Sequence, residues 1–130
     1  MPFRGSQSFI EPLETWGVPT AMPPTPNLSF TDNNNYELPD HFIALVPSAA
    51  WPNKRWPLDH WKSFISKLED HHFVVLGGPG DHFCQELVSV APEKVINLAG
   101  KTSIKDNCNV IQKARLVISA DTGLLHVADQ

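Results

Sequence analysis

From His41 onward the chain alternates short apolar runs with longer stretches whose apolar residues recur at helical spacing. The runs are HFIALVP, HFVVLGG, KVINLAG and RLVISA. Each is too short for a helix and is followed by a glycine, a proline or a polar loop, which reads as a strand buried on both faces. Between the first two lies WPLDHWKSFISKLED, with Trp61, Phe64, Ile65 and Leu68 on one helical face and Pro57 at the first helical position. DHFCQELVSVA predicts a second helix. SIKDNCNVIQKAR predicts a third, with Ile104, Cys108 and Ile111 on one face. Ser103 and Asp106 are spaced as a capping box, with Asp in place of the usual Glu or Gln. TGLLHVADQ begins a fourth helix. The order βαβαβαβα predicts an α/β fold, a parallel sheet covered by helices on both faces.

Residues 1–40 lack this regularity. They hold seven of the twelve prolines and five acids against one base, Arg4, whereas residues 41–130 carry nine charges of each sign. VPTAMPPTPNLSFTDNNNYELPD has no sustained period and predicts an extended connector crossing a surface. Within RGSQSFIEPLETWGV, the spacing of Phe9, Ile10, Leu13 and Trp16 predicts one short helix ended by Gly17. The chain therefore divides near Asp40, into a linker segment over 1–40 and one domain over 41–130.

Composition narrows the function. Apolar residues make up 42% of the 130, enough for a core. No run approaches the ~18 apolar residues of a membrane span, and the N-terminus lacks a signal peptide's apolar stretch. A net charge of −4 gives no support to nucleic-acid binding. Cys84 and Cys108, without a CxxC or a second pair, predict free thiols and a cytoplasmic chain. His71, His72 and His82 show no metal-ligand spacing and are read as surface residues.

In open parallel sheets, ligands bind beyond the carboxyl ends of the strands. The unusual residues collect there: Ser48, Lys54 and Arg55 after the first strand, GGPGD with Asp81 after the second, AGKTS with Thr102 after the third, and Asp121-Thr122-Gly123 after the fourth. Thr122 and Gly123 open a helix, whose first N–H groups are unpaired and suit phosphate. If the first and fourth strands are neighbours, the Lys54 loop faces the Asp121 loop and supplies a cation. Asp121 either caps the helix or accepts hydrogen bonds from ligand hydroxyls, and His126 lies one turn along the same face. The glycine loop has neither the GxGxxG nor the Walker A spacing. Arg55 reads equally as a surface charge, Thr102 as a cap, and Trp51, Trp56 and Trp61 as packing residues.

The strings PSAAWPNKRWPLDHW, VVLGGPGD, NLAGKTSI and LVISADTGLLHVA, in this order, resemble the C-terminal half of the family 9 glycosyltransferases, the lipopolysaccharide heptosyltransferases and their relatives. The KRWP and DTGxxH elements carry most of the resemblance. It implies part of a GT-B architecture, a Rossmann-like domain that binds a nucleotide-sugar donor, typically ADP-heptose. The sugar passes to an inner-core acceptor on lipid A, with inversion and without a metal or other cofactor. Carried over, Lys54, Thr122, Gly123 and the Ser48 loop contact the diphosphate. Asp121 holds donor-sugar hydroxyls, His126 supports it, Asp81 stands near a ribose-holding acid, and Thr102 lies near the base. The catalytic base and acceptor site belong to an N-terminal domain, so by resemblance the chain is a donor-binding fragment, inactive alone, of an enzyme at the cytoplasmic face of the inner membrane. Many members have glycine where this chain has Ser48.

Three rival readings remain from the sequence. Another GT-B transferase would use a different donor. The DTG string also marks aspartic proteases, but those are all-β and carry Ser or Ala where Leu124 stands. A receiver-like or nucleotide-sensing module would have Asp121 as its phosphorylation site, yet receivers want further acids after the first strand, where this loop is basic.

Overall fold

The first strand shows why the apolar runs become a doubly covered sheet. In the computed structural model, which describes residues 12–18 and 36–128, β1 (Phe42–Val46) is buried along its whole length. A pleated strand points alternate residues to opposite faces. Ile43 and Leu45 accordingly join one apolar cluster, and Phe42, Ala44 and Val46 the other. The remaining strands are β2 (His72–Val75), β3 (Val95–Asn97) and β4 (Leu116–Ser119). All pair in parallel in the order β3-β2-β1-β4, with Ile43 opposite Phe73 on one side and Leu116 on the other. Strand β4 is an edge among the described residues, and Leu116 on it is exposed.

The helices divide between the faces. Helix α1 (Leu58–Lys67) and the short α2 (Gln85–Val88) cover the Ile43 face. Trp61 and Ile65 of α1 enter the cluster with Phe73 and Val75, and Leu87 of α2 joins them. Helices α3 (Ile104–Lys113) and α4 (Gly123–Ala128) cover the other face, with Val110 and Ile111 buried and Leu124 and Val127 packed against the same cluster. Tyr36 and Leu38 pack there too, and Tyr36 donates from its hydroxyl to the Lys101 carbonyl at 2.8 Å. The capping box forms: Ser103 Oγ accepts from the Asp106 N–H at 3.2 Å, and Asp106 Oδ2 accepts from the Ser103 N–H at 2.9 Å. The Ser103 hydroxyl, 2.7 Å from Asp106 Oδ2, and then the Ser103 N–H hold the Asp106 carboxyl below its usual pKa.

Several local expectations change. Pro57 is the residue before α1, not its first residue. The second helix is a 3-10 turn over His82–Cys84 followed by the short α2, because Cys84 and Leu87 anchor it and the Val90 N–H bonds back to the Leu87 carbonyl. Ile104 is 78% exposed rather than on the buried face. Ile104 is the first residue of α3 and belongs to neither apolar cluster. Asn107, Cys108, Val110 and Ile111 take the buried positions instead. Trp61 packs as expected, but Trp56 is half-exposed, edge-on to Trp61 at 5.1 Å, and Trp51 is 66% exposed.

The N-terminal segment contributes one helical turn, residues 12–14, closed at Gly17 with φ +74°. Phe9 and Ile10 lie outside the described residues. Cys84 and Cys108 are free and buried. Burial pushes the Cys84 thiol up to about 12, with Asp81 adding to the shift, so it is no nucleophile at neutral pH. No helix among the described residues is long and apolar enough to cross a membrane.

Candidate functional site

The strand order creates the site. The chain steps from β1 to β2 to β3 in one direction, then returns to place β4 on the far side of β1. The loops leaving β1 and β4 therefore part in opposite directions, and a crevice opens between them at the carboxyl ends. A cleft of about 660 Å³ lies here, the size of small-molecule sites. Ser48, Asp81, Thr102, Thr122 and Gly123 all line it.

Lys54 and Asp121 stand beside it, each adjacent in sequence to a lining residue. Lys54 Nζ lies 2.7 Å from Asp121 Oδ2, across the β1–β4 switch point. The loop-to-loop apposition expected from strand order is thus present as an ion pair. The Lys54 hydrogen bond, its charge and then the nearby His126 hold the Asp121 carboxyl below its usual pKa. Asp121 is therefore ionised at neutral pH and can only accept hydrogen bonds. Because the folded pKa is lowered, the pair's stabilisation is present above the carboxyl's ordinary value and fades as pH falls through the lowered one. Replacing Lys54 with methionine should raise the Asp121 midpoint toward an ordinary aspartate, read by carboxyl-carbon NMR titration. An unmoved midpoint would contradict the pairing. His126 itself is exposed on α4.

The second strand's loop is fastened to the first. Ser48 Oγ donates a short hydrogen bond to Asp81 Oδ1, and Asp81 Oδ2 accepts from the Gly78 N–H at 2.6 Å. A side chain at Gly77 would meet that carboxylate at 2.9 Å, so glycine there lets the loop fold around Asp81. The third loop packs on the second at Gly100, where φ is +72° and an added Cβ would lie 2.9 Å from the Pro79 Cα. Gly100→Ala should destabilise the protein by about 2 kcal/mol, combining left-handed strain with a backbone clash. Equilibrium urea melts would show it, and an unchanged midpoint would mean the loops are not packed as described.

Thr102 donates to Asn107 Oδ1 at 2.6 Å, so its hydroxyl proton is already committed inside the fold. Three further residues belong to the site. Arg55 lines the cleft, donates from Nε to the Ala49 carbonyl at 2.8 Å and lies 5.7 Å over the Phe83 ring. Its sequence signal is its place beside Lys54 in the KRWP element. Ile104 and Asn107 line the cleft from α3. Ile104 reads as core by spacing, and its position over the crevice depends on where the helix starts. Among the described residues no three His, Cys, Asp or Glu side chains gather to hold a metal ion.

The architecture defines a Rossmann-like α/β fold with a cleft at its switch point. Residues 15–129 match glycosyltransferase family 9 (heptosyltransferase), and the chain belongs to that family. It is 31% identical over 94 residues to lipooligosaccharide heptosyltransferase 2 of Haemophilus influenzae, covering 66% of this chain and 27% of that protein. The same identity and coverage hold for lipopolysaccharide heptosyltransferase 2 of Escherichia coli K12. Among solved structures, E. coli ADP-heptose lps heptosyltransferase II superposes with a TM-score of 0.64 at 29% identity, covering 68% of this chain and 29% of that one. E. coli heptosyltransferase WaaC with ADP-2-deoxy-2-fluoro heptose superposes with a TM-score of 0.60 at 25% identity, covering 68% of this chain and 29% of that one. The chain thus spans under a third of the length of these relatives.

Proposed function

We propose that the cleft binds a nucleoside-diphosphate sugar, with ADP-heptose as the donor, and that these residues form the donor-binding part of a glycosyltransferase acting on the lipopolysaccharide inner core. The observation that carries this reading is the pairing of Lys54 with Asp121 across the switch point, beside a cleft lined by Thr122 and Gly123. The site presents a cation, free backbone donors and an obligate acceptor side by side. A diphosphate needs the first two, and a sugar's hydroxyls need the third.

In this reading Lys54 and the N–H groups of Thr122 and Gly123 hold the diphosphate, helped by backbone donors of the loop after β1. The same donors stabilise the charge that develops on the departing nucleoside diphosphate as the glycosidic bond breaks. Asp121, kept ionised, accepts from donor-sugar hydroxyls, and His126 steadies it. Asp81 serves the ribose, and Thr102 and Ile104 the base. The acceptor hydroxyl is deprotonated by a base supplied from elsewhere in the complete enzyme, with inversion at the sugar carbon. That base lies outside residues 41–130, which we assign as the donor domain.

Thermal melting tests the reading. At ~100 times its dissociation constant, ADP should stabilise the protein by about 2.7 kcal/mol. A cooperative melt that ADP does not move, at any concentration up to several millimolar, would refute it.

A further inference from the structure

The Ser48–Asp81 contact has a chemical consequence for what the cleft selects. A serine hydroxyl carries one proton, and an ionised carboxylate can only accept. The Ser48 proton therefore points at Asp81 Oδ1. Both residues line the cleft and are only partly buried. What they present to a ligand is lone pairs: those remaining on Ser48 Oγ and one free site on each Asp81 oxygen, since Oδ2 also accepts from the Gly78 N–H. These two side chains accept and do not donate. A phosphate oxygen placed there would face an anion and an unprotonated side of a hydroxyl, whereas a ligand hydroxyl would find acceptors on both residues.

The corner's position tells which hydroxyl. Along the sheet edge, the Ser48 and Asp81 loops follow β1 and β2, and the Lys54–Asp121 pair spans β1 and β4. With the diphosphate at Thr122 and Gly123 and the sugar at Asp121, the group on the β2 side of the phosphates is the nucleoside's ribose. We propose that Ser48 is a specificity-determining residue: its hydroxyl, turned into an acceptor by Asp81, reads a ribose hydroxyl and does not touch the diphosphate. The proposal rests on the donor-site reading above. It departs from the expectation that this position serves the phosphates, although backbone groups of the same loop remain free to do so.

The test is the ratio of dissociation constants for deoxy-ADP and ADP, measured by calorimetry with 2′-deoxy-ADP and 3′-deoxy-ADP. One ligand hydrogen bond shared between a hydroxyl and a carboxylate predicts a ratio of about 10 for at least one analogue. Ser48→Ala should reduce that ratio to below about 3, and Ser48→Thr, which keeps the hydroxyl, should restore it. A ratio in Ser48→Ala equal to that of the unmodified protein overturns the proposal, whether or not overall affinity falls, because a phosphate contact weakens all three ligands alike. An unmodified protein that binds ADP and both analogues equally also overturns it, and leaves the donor site standing. Failure to bind any of the three sinks the donor-site reading itself. Melting temperatures of both variants separate loss of fold from loss of selectivity.

Discussion

Lys54→Ala is expected to weaken ADP binding about 10- to 100-fold, the worth of a charge-assisted hydrogen bond to an anion. The melting temperature without ligand should scarcely move. The Lys54–Asp121 pair is solvent-exposed on both sides, and such pairs contribute little to stability. The split between the two readouts is the informative part. Lys54 sits in a 3-10 turn over Pro52–Lys54 whose residues are all exposed, so the fold does not depend on it. Its fixed position comes from Asp121, which holds the ammonium beside the cleft before any ligand arrives. A fall in stability with unchanged ADP affinity would reverse the assignment and make the pair structural.

The largest effect on folding is expected at Trp61. Trp61→Ala should cost about 3–5 kcal/mol, the range for emptying a buried large aromatic site. Total stability of a domain is only about 5–15 kcal/mol, so the variant should lie near its unfolding midpoint. The side chain is 1% exposed and joins α1 to the Ile43 face of the sheet. It also backs Trp56 at 5.1 Å, whose neighbours carry Lys54 and Arg55. Trp61→Phe keeps most of the volume and should cost much less. Urea denaturation distinguishes the two, and equal, small losses would mean that α1 is not anchored there.

The fold was readable because buried parallel strands have to be continuous apolar runs. All four strands fall where HFIALVP, HFVVLGG, KVINLAG and RLVISA place them. The capping box was readable from Ser103 and Asp106 alone, since it is local. Less local features were not. Ile104 has core spacing, yet it is exposed and lines the cleft from the start of α3. Trp51 is apolar and yet largely exposed, just ahead of a 3-10 turn with no buried residue. The site splits in the same way. That Ser48, Lys54, Asp81, Thr102 and Asp121 share one edge follows from βα alternation. That Lys54 meets Asp121, while Ser48 meets Asp81, depends on which strands are neighbours and how each loop turns. Asn107 carries no distinguishing spacing, and only the three-dimensional packing brings it to the cleft.

The proposed function stands or falls on recognition of a diphosphate at the switch point. Titration calorimetry of the protein with ADP, AMP and adenosine tests it most directly. ADP should bind at least about tenfold more tightly than AMP, and Lys54→Ala should erase most of that advantage. Equal affinities for ADP and AMP, or an ADP advantage that survives without Lys54, would contradict it.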